Sequence, residues 1–210
     1  MSNLQIMHMD QGSADWFRAR LGIPTASEFK TVMSKGRGGG MSLSRRTYML
    51  KLLGEQITGQ PTANFSNEHT ERGHEMEDEV RRFYTMLRDT DVERIGFARL
   101  EEPWGTIGCS PDALVGADGM LEIKTKLPHL HLDIWLTGEV PSEHIAQLQG
   151  QMMICNRQWI DFVSYWPAMK PFVARIQRDE KFIEELRAEL QVFCGELQAA
   201  KARYDKAEEG

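Results

Sequence analysis

Apolar and polar positions alternate in different periods along the chain, and the period changes near residue 90. Ser13 to Leu21 reads as a short helix stopped by Gly22. Thr25-Ala-Ser-Glu28 has the spacing of a capping box and predicts a helix through about Met33. Lys35-Gly-Arg-Gly-Gly-Gly40 is a basic glycine-rich loop, after which Ser42 or Ser44 caps a helix to about Thr58. A further helix covers roughly Glu68 to Leu87. Beyond it the pattern predicts strands over Val92–Glu101, Gly108–Val115 and Met120–Lys126, the last two joined into a hairpin by Gly116-Ala-Asp-Gly119. Pro141 opens a helix to about Cys155, and Trp159–Trp166 and Phe172–Gln177 read as two more strands. Over residues 179–206, Phe182, Leu186, Leu190, Phe193 and Leu197 recur at helical spacing, which predicts an amphipathic helix packed on its own domain.

Composition narrows the class. With 210 residues and 41% apolar side chains, one domain with a C-terminal tail is expected, large enough to fold without a disulfide or structural metal. No apolar run is long enough to cross a membrane, and the first residues lack the basic flank and apolar run of a leader, so a cytoplasmic protein is expected. Cys109, Cys155 and Cys194 are widely spaced with no C-x-x-C pair, which excludes a disulfide framework and a four-cysteine zinc or iron–sulfur site within the chain. The net charge of −6 is unevenly spread: residues 1–62 carry a net +4 and the remainder −10. A basic N-terminal part beside an acidic remainder suits anion binding next to a carboxylate cluster.

The chemistry concentrates in Ser110-Pro-Asp112, nine intervening residues, and Glu122-Ile-Lys124. Side chains alternate along a strand, so Glu122 and Lys124 share a face and Leu121 and Ile123 take the other. The hairpin returns Asp112 to the side of Glu122. Two carboxylates about 4 Å apart repel by roughly 4 kcal/mol at an effective dielectric of 20, so a cation is needed between them. Oxygen donors suit Mg²⁺ or Mn²⁺, and a neighbouring lysine suits phosphodiester hydrolysis by orienting or deprotonating a metal-bound water and helping neutralise charge on the phosphate. A plain surface salt bridge on an exposed hairpin is the alternative. A second candidate stands on Arg20, Ser27 and Arg37: an arginine able to make a bidentate phosphate contact, a hydroxyl at a helix N-terminus, and an arginine in a glycine-rich loop. His129-Leu-His131 would put two histidines on one face of a strand, but no third soft ligand is nearby, so surface or DNA-proximal histidines are expected rather than zinc.

Pro111-Asp112…Glu122-Ile-Lys124 resembles the PD-(D/E)xK nuclease motif. Gln11-Gly12, Trp16, Arg20-Leu-Gly22 and Thr25-Ala-Ser27-Glu28 resemble one branch of it, the phage lambda exonuclease family. Arg72-Gly-His-Glu-Met-Glu77, Ala146-Gln147-Leu-Gln149 and Arg178-Asp-Glu-Lys181 follow in family order, so the resemblance spans about 170 residues. It implies an α/β fold of the restriction-endonuclease-like kind: a central mixed sheet flanked by helices, with an N-terminal helical phosphate-binding part and a C-terminal helix. It further implies a Mg²⁺-dependent, processive 5′→3′ exonuclease on double-stranded DNA that releases 5′-mononucleotides and leaves 3′ tails. Asp112 and Glu122 match metal ligands, with the Ile123 carbonyl as a further ligand and two ions per site. Lys124 matches the catalytic lysine, Glu77 a glutamate near the second metal, and Gln147 the active-site glutamine. Arg20, Ser27 and Arg37 match the pocket for a 5′-terminal phosphate. A homotrimeric ring, a single-strand annealing partner and a phage or prophage gene in a bacterial host are implied as well. The family's additional aspartate upstream of the Pro-Asp pair has no counterpart; Glu101 and Glu102 are near but do not match. Two other functions remain open: an endonuclease or junction resolvase on the same fold, and a DNA-end-binding protein with an inert site. Circular duplex separates the first from an exonuclease, and the joint presence of Asp112, Glu122, Lys124 and Glu77 argues against the second.

Overall fold

The computed structural model describes residues 3–62 and 68–208, with side chains from Met76 to Ala207 in the second stretch. In chain order the elements are β1 (Leu4–Met7), α1 (Ala14–Ala19), a 3₁₀ turn (Ala26–Glu28), α2 (Phe29–Met33), α3 (Leu43–Thr58) and α4 (Glu68–Arg88). They continue as β2 (Val92–Glu93), β3 (Phe97–Glu102), β4 (Gly105–Cys109), β5 (Ala113–Val115) and β6 (Gly119–Thr125). The last are α5 (Pro128–Thr137), α6 (Ser142–Cys155), β7 (Trp159–Tyr165), β8 (Phe172–Gln177) and α7 (Glu180–Glu208).

The mixed α/β architecture matches expectation, but the strands form two sheets rather than one. A five-stranded sheet runs β2-β5-β6-β7-β8, with β6 and β7 parallel and the other pairs antiparallel. A three-stranded antiparallel sheet runs β1-β3-β4. The segment expected as one strand over 92–101 is divided between the sheets, and so is 108–115. Its crossing point, Ser110-Pro111-Asp112, connects the end of β4 to the start of β5. β1 carries no sequence signal of its own and gains its ladder from β3.

The large sheet separates two cores. On one face, Met76, Val80 and Tyr84 of α4 pack on Ala113, Val115, Leu121, Ile123 and Val163. On the other, α2, α3, α6 and α7 meet the sheets around Phe29, Leu52, Leu148, Met152, Leu186 and Phe193. α6 lies deepest: every residue from Leu148 to Cys155 is buried, as a helix enclosed on all sides requires. Gly150 permits this, because a Cβ there would stand 2.3 Å from the Phe29 ring. The inward positions of α7 are Ile183, Leu186, Leu190, Phe193 and Leu197, close to the predicted stripe.

Two local expectations are corrected. Thr25 caps no helix with its side chain; its N–H donates to the Tyr48 hydroxyl at 3.1 Å, and the chain makes a 3₁₀ turn before the five-residue α2. Residues 128–137 are helical, not extended. Pro128 opens this helix and Gly138, in the left-handed conformation, ends it. His131 is therefore buried, its Nδ1 2.8 Å from the Ser164 hydroxyl and its Nε2 2.9 Å from the Lys170 carbonyl, while His129 is exposed. The three cysteines are free and buried, Cys109 and Cys155 with sulfurs 3.6 Å apart. Among the described residues no helix is long and apolar enough to cross a membrane.

Candidate active site

β5 and β6 pair with Ala113 opposite Leu121, which sets Asp112 beside Glu122 at the mouth of the hairpin. The faces divide as the alternation requires: Leu121 and Ile123 enter the α4 core, while Glu122 and Lys124 turn toward α6. Glu122 is 3% exposed and fully engaged. Oε1 accepts from Gln147 at 2.6 Å and pairs with the Lys124 ammonium at 2.6 Å, and Oε2 accepts from Gln151 at 2.7 Å. Gln147 and Gln151 are one helical turn apart, so α6 presents both amides to the same carboxylate. Asp112 Oδ2 accepts from the Ile123 N–H at 2.5 Å. The N–H and C=O of one strand residue point to the same edge, so the Ile123 carbonyl also faces Asp112.

Burial pushes the Asp112 carboxyl well above the usual carboxylate range, and the nearby Glu122 and Glu77 charges add to the rise. Burial alone would lower the Lys124 ammonium, but Glu122 and Asp112 overcome it and hold it above its ordinary value. Lys124 thus stands as the cationic partner of Glu122 in the metal-free site. Glu77, on α4, borders a cavity of about 570 Å³ together with Asp112, Gln11, Arg81 and Arg94. Arg72 to Glu75, the first part of the motif that ends in Glu77, have side chains outside the described residues. Among the described residues no three His, Cys, Asp or Glu side chains close up as a metal cage. The donor set nonetheless fits a hard cation: adjacent carboxylates and a backbone carbonyl, all oxygen, with one carboxyl held in an unfavourable electrostatic position that a cation would relieve.

The second group assembles around Arg20. Its guanidinium lies 4.0 Å from the centre of the Trp16 ring and donates to the hydroxyls of Ser110 (3.3 Å) and Thr25 (3.4 Å). Burial lowers its pKa, and among the described residues it has no carboxylate partner in a salt bridge. Arg20, Thr25, Ser27, Tyr48 and Lys51 line a small pocket of about 160 Å³. Arg37 is not part of it: the Lys35–Met41 loop closes on itself through Gly36 and Gly40, and Arg37 is exposed on it. Glu101 and Glu102 lie in the three-stranded sheet, bonded to Arg99, Thr106 and Arg187, apart from the carboxylate centre.

Residues 15–158 match the YqaJ-like viral recombinase domain. The chain belongs to this family. The YqaJ-like chain is similar to an alkaline exonuclease, LHK-Exo, from Laribacter hongkongensis: 34% identity over 94% of this chain and 98% of that one, with a TM-score of 0.83. A second structure of LHK-Exo, in complex with dAMP, matches at 35% identity with the same coverage and TM-score. A phage-related exonuclease from Haemophilus somnus 129PT shares the fold, with a TM-score of 0.58 at 14% identity over 85% of this chain and 96% of that one. No curated protein matches it.

The YqaJ-like fold also brings in Gln151, which sequence reasoning passed over, and gives contacts to residues quoted above without a role. Gln151 carried a signal, its i+4 spacing from Gln147, whereas Gln149 serves structure by bonding the Gln177 carbonyl and the Asp179 N–H. Ser110 accepts from Trp16 at 2.8 Å as well as from Arg20, and Gln11 donates to the Pro111 carbonyl at 3.1 Å. These bonds tie the N-terminal segment to the tripeptide that carries Asp112.

Proposed function

We propose that the chain is a Mg²⁺-dependent 5′→3′ exonuclease on double-stranded DNA, releasing 5′-mononucleotides processively and leaving 3′ single-stranded tails for an annealing partner. The observation that carries the reading is the convergence of Asp112, Glu122 and Lys124 at one hairpin mouth, with Glu122 clamped by two glutamines. The family assignment and the likeness to an enzyme named as an alkaline exonuclease support it. Asp112, Glu122 and the Ile123 carbonyl would hold one Mg²⁺, or Mn²⁺ in its place, and Glu77 would help hold a second. Such an ion supplies Lewis-acid polarisation of the scissile phosphate and of the attacking water. Gln147 and Gln151 keep Glu122 oriented. Lys124 donates to a non-bridging phosphate oxygen as negative charge builds there, and Arg20 with Ser27 holds the 5′-phosphate of the chain end.

Linear and circular duplex incubated with Mg²⁺, with products resolved on a gel, test the reading. Mononucleotides from linear DNA alone are expected; a nicked or cut circle would indicate the endonuclease, and intact DNA in both lanes the inert binder. Lys124→Ala is expected to retain DNA binding and lose about 10²–10³-fold in single-turnover rate, the scale of one electrostatic transition-state contact. A ring of three chains belongs to the same proposal. The apolar residues Leu130, Leu132, Trp135 and Leu136 exposed along α5 support an interface. Light scattering is expected to give about three times the 24.0 kDa chain mass.

A further inference from the structure

One buried cation beside the carboxylates has no part in that chemistry. Arg81 follows Glu77 by one turn of α4 and is 6% exposed. Its Nη2 donates to Asp78 at 2.7 Å, and Asp78 is held from outside by Arg94 at 3.3 Å. Its Nη1 lies 3.8 Å from Glu77 Oε2 and reaches the backbone carbonyl of Asp112 at 3.5 Å. Its Nε is buried without a hydrogen-bond partner among the described residues. A guanidinium meant only to pair with Asp78 would sit at the surface, where the pair forms without desolvation. Here the fork is buried instead, and it spans the two elements that deliver carboxylates to the centre: α4 with Glu77, and the Ser110–Asp112 crossing.

We propose that Arg81 is a positioning residue for the metal centre. It fixes Glu77 against Asp112 and offsets the repulsion between them, so that the carboxylates stand ready before the cation arrives. This rests on the metal-dependent reading above. A lysine keeps the charge but is a point donor, and cannot hold the Asp112 carbonyl and the α4 carboxylates together.

The test is calorimetric titration of Mn²⁺ into the DNA-free full chain, for wild type, Arg81→Lys and Asp78→Asn, with far-UV circular dichroism to confirm folding. Asp78 is at the surface side of the arrangement, so its substitution loosens Arg81 without opening the core. Arg81→Lys is expected to weaken Mn²⁺ binding about tenfold and raise the half-saturating Mg²⁺ concentration for DNA digestion equally, with the rate at saturating Mg²⁺ within about threefold of wild type. Asp78→Asn is expected to shift binding in the same direction, by about threefold, and decides the matter if Arg81→Lys does not fold. Wild-type isotherms in the folded variants would overturn the proposal. So would unchanged binding with a lower rate at saturating Mg²⁺, which would make Arg81 a substrate contact. A wild-type chain that binds no Mn²⁺ would instead overturn the metal reading itself.

Discussion

Asp112→Asn and Glu122→Gln are each expected to lower Mg²⁺-supported digestion of linear duplex by about 10³-fold or more, since metal stabilisation of the transition state amounts to several kcal/mol and each 1.36 kcal/mol is tenfold in rate. The fold is expected to survive. Asp112 is the sharper case because its carboxyl is raised by burial and by the Glu122 and Glu77 charges. A carboxyl with a raised folded pKa favours folding while it is protonated. That contribution is complete below the unfolded aspartate range and is lost as pH rises through the folded value. Asparagine keeps an acceptor for the Ile123 N–H and has no charge to lose. The metal-free Asp112→Asn chain should therefore melt no lower than wild type, with an advantage that grows with pH. Mg²⁺ at about 100 times its Kd should add roughly 2.7 kcal/mol to wild type and little to the variant. Thermal melts with and without Mg²⁺ across pH measure this. A destabilised variant that Mg²⁺ still protects would remove Asp112 from the metal site.

A 5′-phosphorylated duplex end is expected to be digested much faster than a 5′-hydroxyl end, and Arg20→Ala should erase most of the difference. A terminal phosphate carries nearly one more negative charge than an internal diester. The Arg20 guanidinium is set to receive it: stacked on Trp16, bonded among the described residues to neutral hydroxyls, and held below its ordinary pKa by burial. A hydrogen bond to a charged group is worth roughly 1.5–3 kcal/mol, so the loss corresponds to about 10- to 150-fold. Initial rates on both ends for both proteins give the answer. If Arg20→Ala slows the two substrates equally and lowers the salt dependence by about one phosphate contact, Arg20 is a general backbone contact instead.

The parts of this arrangement that were legible in the sequence are local ones. The turn at 116–119 and two-residue alternation were enough to put Asp112 by Glu122 and to separate Glu122 and Lys124 from Leu121 and Ile123. The α7 stripe was legible for the same reason. The division of the strands was not, because distant contacts set it: Gly96, at the break between β2 and β3, lies so near Met9 that a Cβ would meet its backbone oxygen at 2.5 Å. The His-Leu-His-Leu alternation at 129–132 imitates a strand, and only the flanking Pro128 and Gly138 betray a helix. At Thr25 the capping pattern was real as spacing, yet Tyr48, arriving from α3, takes the backbone N–H that begins the turn. Arg81 gave no signal, since nothing in an acidic helix says which side chains will face inward, and the Ser-Pro pair marked the hairpin without showing that Ser110 would meet Arg20.

Ser110 and Asp112 are separated by one residue, Pro111, which is buried and whose ring fixes its φ. Ser110 touches the arginine proposed to grip the end of a DNA chain, and Asp112 stands at the carboxylates proposed to cut it. Two residues of chain span at most about 7 Å, so covalent bonds fix how far Ser110, which holds the grip by a hydrogen bond, stands from the blade. On the proposed function, three consecutive residues would then set the length of each bite, one nucleotide at a time, with no separate moving part to count it.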